Sequence, residues 1–288
     1  MTIGPPTGRA MVDGVIASVA RRPERTGVTG RILYQGLRNC RDAISAASAL
    51  AFASDRHPLE PKEYSLLPEH SIAYLVISKV ACSSIKAVML SAVSEDQLAD
   101  DFSVHRSTAL QRRLGTLSGD EASYYKFTFV RNPFARLVSA YVNKFETLDV
   151  VRLNGYSRYL NGIISLDISF AEFCRLVAGI PDRLAERHFK SQYSTVYDGA
   201  RCCVDFVGKF ENLRADFSRI PLLGERACLP HFNRSQGYDF RSYYTRDLVR
   251  LVADRYRNDI EAFGYHGAAA ELDEYCRGHD IAQGGAGA

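Results

Sequence analysis

Two places where a β-rich run gives way to a helix through a short turn constrain this chain more than any other feature. In YLVISKVACSSIKAVML (74–90) the apolar run Tyr74-Leu75-Val76-Ile77 stops at Ser78. A lone Lys79 follows, then the small residues Ala81, Cys82, Ser83 and Ser84, and a new apolar periodicity begins at Ile85. In YKFTFVRNPFARLVSAYVNKF (125–145) an alternating run ends at Arg131 and the period changes. Phe134, Leu137, Val138, Tyr141, Val142 and Phe145 then recur at helical spacing, with Asn132 placed as N-cap and Pro133 at the first helical position. Strands alternating with helices predict an α/β fold with a central, mainly parallel sheet flanked by helices.

Residues 1–60 read as a lead-in, loose over 1–30 and helical over 31–54. DRHPLEPKEYSLLPEH (55–70) holds three prolines and reads as a connector. Strands are expected over 72–78 and 125–131, and a short one within CVDFVGKFENL (203–213). Helices are expected over 83–93, 169–178 and 182–190, and in part of 95–123. A last helix is expected over 241–263, with Leu248, Leu251, Val252, Tyr256 and Ile260 as its apolar face. The main unit spans 61–267. Residues 268–288 read as a tail, disordered over the Gly/Ala stretch 281–288.

The chain has 288 residues, 46% of them hydrophobic, enough for a sizeable core. A net charge of +3 is too weak to argue for nucleic acid, while a local basic cleft for a small anion is compatible with it. Seven cysteines include no paired C-x-x-C, so no metal is expected and reduced thiols are. MTIGPPTGRAMVDG lacks the charged and apolar regions of a signal peptide, and AISAASALAFAS (43–54) is too short to span a bilayer. The expectation is a soluble, cytoplasmic protein with no transmembrane segment, at most transiently near a membrane.

The turn at 78–86 has the physics of an anion site. A helix start presents backbone N–H groups and a partial positive charge. Small residues let a ligand approach, Ser83 and Ser84 add hydroxyls, and Lys79 adds a point charge. The Walker A pattern is absent. The bland alternative is a lysine at a solvated strand end with a serine cap. Arg131 closes the second strand, and Ser139 lies eight residues on, about two helical turns. The two side chains are placed to grip one phosphate from two sides. An ordinary ion pair for Arg131 and simple packing for Ser139 are the alternatives.

KVACSSIK followed by FTFVRNPFARLVSAYVNKF resembles the carbohydrate sulfotransferase family, which includes the chondroitin 4-O- and dermatan sulfotransferases. HFKSQYSTVYDGARCCVDFVGKFENLRADF (188–217), LPHFNRS (229–235) and YRNDIEAFGY (256–265) look family-like too, so the resemblance covers roughly 72–265. It implies a P-loop-like three-layer sandwich and transfer of a sulfuryl group from 3′-phosphoadenosine 5′-phosphosulfate (PAPS) to a sugar hydroxyl, leaving 3′-phosphoadenosine 5′-phosphate (PAP). By resemblance, Lys79, Val80, Ala81, Cys82, Ser83, Ser84 and Ile85 form the 5′-phosphosulfate loop, and Arg131 with Ser139 binds the 3′-phosphate. Arg234 and Ser235 would reach the nucleotide from a late loop. Lys79 would stabilise charge on the leaving oxygen. A sugar hydroxyl also needs a base. His105 and His188 are the candidates, His105 slightly ahead by chain position, with Glu186 as a carboxylate alternative. Tyr156, Tyr159, Arg152, Arg158 and Arg175 are candidates to line a groove for a glycan or glycoconjugate acceptor. The family's animal members are membrane-anchored Golgi proteins, so the missing anchor suggests a bacterial-type member. A nucleotide-dependent kinase and a non-catalytic nucleotide-binding module are the competing readings.

Overall fold

A computed structural model describes residues 60–93, 109–146, 168–224 and 238–284, with Pro58, Val104 and Ile164. The helix expected over 31–54 lies outside the described residues. The elements, in chain order, begin with β1 (Glu63–Leu67), β2 (Ile72–Leu75) and α1 (Cys82–Ser91). Then come β3 (Gln111–Leu114), β4 (Tyr125–Val130), α2 (Pro133–Tyr141) and α3 (Phe170–Gly179). After α4 (Gln192–Val196) a small hairpin, β5 (Tyr197–Asp198) and β6 (Arg201–Cys202), leads into β7 (Phe206–Lys209). The chain closes with α5 (Leu213–Phe217), α6 (Arg246–Arg255), α7 (Arg257–Phe263) and α8 (His266–Gly284).

The main sheet has the order β3-β1-β2-β4-β7. The fold is α/β as expected, with a mixed sheet. β2, β4 and β7 pair in parallel, while β1 and β3 extend the sheet antiparallel. The parallel half carries both strand-to-helix turns at the C-terminal ends of its strands, where open α/β sheets place their ligands. Tyr74 of β2 stacks on Phe127 of β4 at 5.1 Å, and the Thr128 hydroxyl donates to the Leu75 carbonyl at 2.7 Å. These contacts hold the two turns side by side.

β7 fits beside β4 because Gly208 has no side chain. A Cβ there would overlap the ring of Phe129, which is itself fully buried against Phe217. Gly208→Ala is therefore expected to destabilise the fold by about 1–3 kcal/mol, the usual range for overpacking, read as a lower urea midpoint at unchanged slope.

Several expectations are corrected. The proline-rich connector contains β1, whose Tyr64, Leu66 and Leu67 are buried although flanking prolines mask the strand pattern. Residues 111–114, within the stretch expected to be helical in part, form β3, an exposed, charged edge strand held by pairing to β1 rather than by burial of its own, while Gly119–Ser123 of the same stretch is a short 3-10 helix. Residues 182–190 form turns instead of a helix: backbone bonds close onto Pro181 and Glu186, and the backbone N–H of His188 goes to the Glu186 carboxylate instead of to the Leu184 carbonyl. The helix expected over 241–263 is broken at Tyr256, whose buried hydroxyl donates to the Phe189 carbonyl at 2.6 Å. Beyond it, α8 runs to Gly284 across the 267/268 boundary, because Leu272 and Cys276 are buried in the core.

Candidate active site

β2 ends at Leu75, so residues 76–81 form the turn into α1. Lys79 (φ 68°) and Ala81 (φ 54°) both adopt left-handed backbone, which costs roughly 1–2 kcal/mol per non-glycine residue. Between them Val80 is fully buried and anchors the loop in the core. Ala81 is the N-cap of α1 and supplies no side-chain acceptor, while Ser83 and Ser84 are buried in the first turn. A helix start with left-handed backbone, small residues and a lysine has the chemistry that suits an anion.

Arg131 comes from the neighbouring turn and joins this loop. Its Nη1 donates to the Lys79 carbonyl at 3.2 Å, and its guanidinium lies 4.3 Å from the Phe210 ring centre. Burial pulls the Arg131 pKa down, against the pull of Tyr238 and Glu211. Its backbone is clamped twice. The Gln192 Oε1 accepts from the Arg131 N–H at 2.8 Å, and the Gln192 Nε2 donates to the Arg131 carbonyl at 2.8 Å. Asp259, fully buried, accepts from the N–H groups of Gln192 and Tyr193 at 3.0 and 2.8 Å and so orients that clamp. Asn132 caps α2 as expected, accepting from Phe134 N–H, while Glu211 accepts from the Asn132 N–H at 2.7 Å.

Arg136 is 2% exposed and ties three segments together. Its Nε donates to the Ser78 carbonyl at 3.0 Å, its Nη1 to the Lys190 carbonyl at 2.9 Å and its Nη2 to the Arg187 carbonyl at 3.0 Å. The helix thus binds the anion loop on one side and the turn bearing His188 on the other.

His188 is packed against Glu186. The Nδ1 lies 2.6 Å from Glu186 Oε1, and the His188 N–H donates to Glu186 Oε2 at 2.9 Å. A carboxylate only accepts, so the proton between them sits on Nδ1 and the ring's lone pair on Nε2. Burial pushes His188 down to about 4, overcoming the upward pull of Glu186, and the ammonium groups of Lys144 and Lys79 add to the depression. Lys144 lies in a π-helical turn, Val142–Glu146, that ends α2. A neutral histidine with a fixed tautomer, set among cations, is equipped to take a proton from a substrate.

The structure thus brings Lys79, Arg131 and His188 into one electrostatic neighbourhood. Ser139 is half-buried on α2, Cys82 is a half-buried packing residue, and Arg175 is exposed on α3. His105, Arg234, Ser235, Arg152, Tyr156, Arg158 and Tyr159 lie outside the described residues. Sequence reasoning missed Arg136, Gln192, Asp259 and Glu211. All four lie in the stretches that carry the family resemblance, and that is the signal by which they could have been found.

Residues 62–266 match the model of the Sulfotransferase family. The chain belongs to this family. The sulfotransferase match starts one residue before β1 and ends at the first residue of α8. Similar curated sulfotransferases include carbohydrate sulfotransferase 14 of Danio rerio, 35% identical over 245 residues that cover 73% of this chain and 63% of the relative. Carbohydrate sulfotransferase 11 of Rattus norvegicus is 30% identical over 64% of this chain and 60% of its own length. Carbohydrate sulfotransferase 14 of Homo sapiens is 33% identical over 57% of this chain and 46% of its own. The chain therefore spans about three fifths of the first two relatives. No solved structure matches. Among the described residues, no helix is long and apolar enough to cross a membrane.

Proposed function

We propose that this chain transfers a sulfuryl group from PAPS to a hydroxyl of a carbohydrate or glycoconjugate. The observation that carries the reading is the hydrogen bond from Arg131 to the Lys79 carbonyl, which fuses two separate strand-to-helix turns into one cationic site. The names of the relatives, carbohydrate sulfotransferases 14 and 11, support a carbohydrate acceptor. In this reading the donor supplies the sulfuryl group, and the protein positions it and balances charge. Lys79 and the start of α1, from Val80 to Ile85, hold the 5′-phosphosulfate and stabilise the charge that develops as the S–O bond breaks. Arg131 and Ser139 hold the 3′-phosphate, with Arg234 and Ser235 reaching the nucleotide from their loop. His188 takes the proton of the acceptor hydroxyl. We rank it ahead of His105 because Glu186 fixes its tautomer and burial keeps it neutral. We place the reaction in the cytoplasm.

The test is calorimetric binding of PAP to the wild type and to Arg131→Ala. A charge-assisted contact contributes about 1.5–3 kcal/mol, so the variant is expected to bind at least about tenfold more weakly. A folded wild type that does not bind PAP overturns the reading. Turnover that requires magnesium and a nucleoside triphosphate would put a kinase in its place.

A further inference from the structure

Lys62 sits one residue before β1 and lines a cavity of about 120 Å³ with Glu60, Glu63, Arg187 and Lys190, a cavity whose wall also includes Ser78 of the turn into α1. Its Nζ lies 3.0 Å from the Cys203 sulfur and 2.7 Å from Asp198 Oδ1. The Cys203 thiol in turn donates to Asp198 Oδ2 at 3.1 Å. Amine, thiol and carboxylate thus form a closed triangle. Their sequence separation, 141 residues between Lys62 and Cys203, makes it a product of the fold.

We propose that Lys62 and Cys203 form an oxidation site at which peroxide joins the two side chains covalently. Hydrogen peroxide oxidises the thiol to a sulfenic acid. Its O–O bond breaks, one oxygen stays on sulfur and the other leaves as water. Asp198 accepts a proton from the Lys62 ammonium, and the freed amine attacks the sulfur. The S–O bond breaks and the S–N bond forms; the departing hydroxide takes the proton held by Asp198 to leave as a second water, and the proton lost by the newly bonded nitrogen passes to solvent. The sum is thiol plus amine plus peroxide giving a sulfenamide plus two waters, the protein losing two hydrogens.

The neighbouring cysteine is not equivalent. The Cys202 sulfur points at the Val204 carbonyl at 3.3 Å. Cys174 and Cys276 are buried in the core, where burial pushes the Cys174 thiol up to about 12. Cys203 is half-buried, and its partner Asp198 has half its side-chain surface in solvent, so a small oxidant has an approach. Burial also raises the Cys203 thiol, so the resting site is a thiol beside an ammonium, and the proton-accepting carboxylate is already in place. The link would staple the start of β1 to the segment between β6 and β7 and remove one positive charge from the cavity wall.

Full-length protein, wild type, Lys62→Arg and Cys203→Ser, is treated with hydrogen peroxide, digested and mapped by mass spectrometry. The wild type is expected to yield a cross-linked peptide joining the Lys62 and Cys203 segments, two hydrogens lighter than their sum and released by a thiol reductant. Both variants should lose it, and Lys62→Arg keeps the charge pairing with Asp198 without a nucleophilic amine. A Cys203 sulfinic acid with Lys62 unlinked, or a Cys202–Cys203 disulfide as the sole product, overturns the proposal. The readout does not depend on sulfuryl transfer.

Discussion

His188→Gln is expected to lower kcat by about 10²–10⁴-fold, the range for removing a general base, while PAP affinity stays unchanged. The separation of the two effects follows from the site. The ring belongs to the turn after Asp182, whereas the donors proposed for the nucleotide belong to the turn into α1, the turn after β4, and α2. Because burial holds His188 down to about 4, the wild-type rate should show no acid limb near 6.5, its ordinary value, and should fall only as pH approaches 4. The same shift bears on stability. Between pH 4 and 6.5 the unfolded chain binds a proton that the folded one does not, so this group's effect on stability is complete above about 6.5 and turns against folding as pH falls toward 4. Glu186→Ala removes the carboxylate that fixes Nδ1–H and also removes its upward pull. It is expected to cut kcat by a smaller factor without moving the acid limb toward neutrality. A His188→Gln enzyme that retains wild-type kcat would return the base role to His105 or to a carboxylate.

The two strand-to-helix turns were legible because each is a local pattern. Alternation ends, a small or capping residue appears, and a 3.6-residue period begins. Lys79 and Arg131 could be named for the same reason, whereas His188 was a candidate only through the family resemblance. β1 was not legible, since its strand character lies between Pro61 and Pro68 and depends on pairing with β2 and β3. The turns at 182–190 are not legible as such, because the Glu186 carboxylate takes the backbone N–H of His188 and Arg136, far away in sequence, ties down the carbonyls of Arg187 and Lys190. Gln192 and Asp259 lie inside the family-like stretches 188–217 and 256–265, but nothing local in either stretch says what they bond to. Their clamp on the Arg131 backbone exists only once α4 and α7 meet beside β4. Arg136 shows the limit most clearly, because its place off the apolar stripe of α2 predicts exposure and the folded chain buries it.

Arg136→Met is expected to destabilise the protein by about 3–5 kcal/mol, as removing one member of a buried charged network does. Methionine matches the length of the side chain and removes the cost of burying a guanidinium, which here is large enough to depress the arginine's pKa. Against that gain stand the carbonyls of Ser78, Lys190 and Arg187, which lose their donor together. An unsatisfied buried carbonyl costs about 1–3 kcal/mol, and three of them outweigh the relief of one desolvated cation. The loss wins because all three carbonyls belong to turn backbone, where no helix or sheet ladder is at hand to replace the donor. Arg136→Lys should fall between, since a single ammonium can reach some of these oxygens but not in the fork geometry that serves three segments. Urea unfolding measures both, with the midpoint falling in the order wild type, Lys, Met. A Met variant within about 1 kcal/mol of wild type would mean that water or a local shift repairs the carbonyls, and the anion loop would then not depend on α2 for its position.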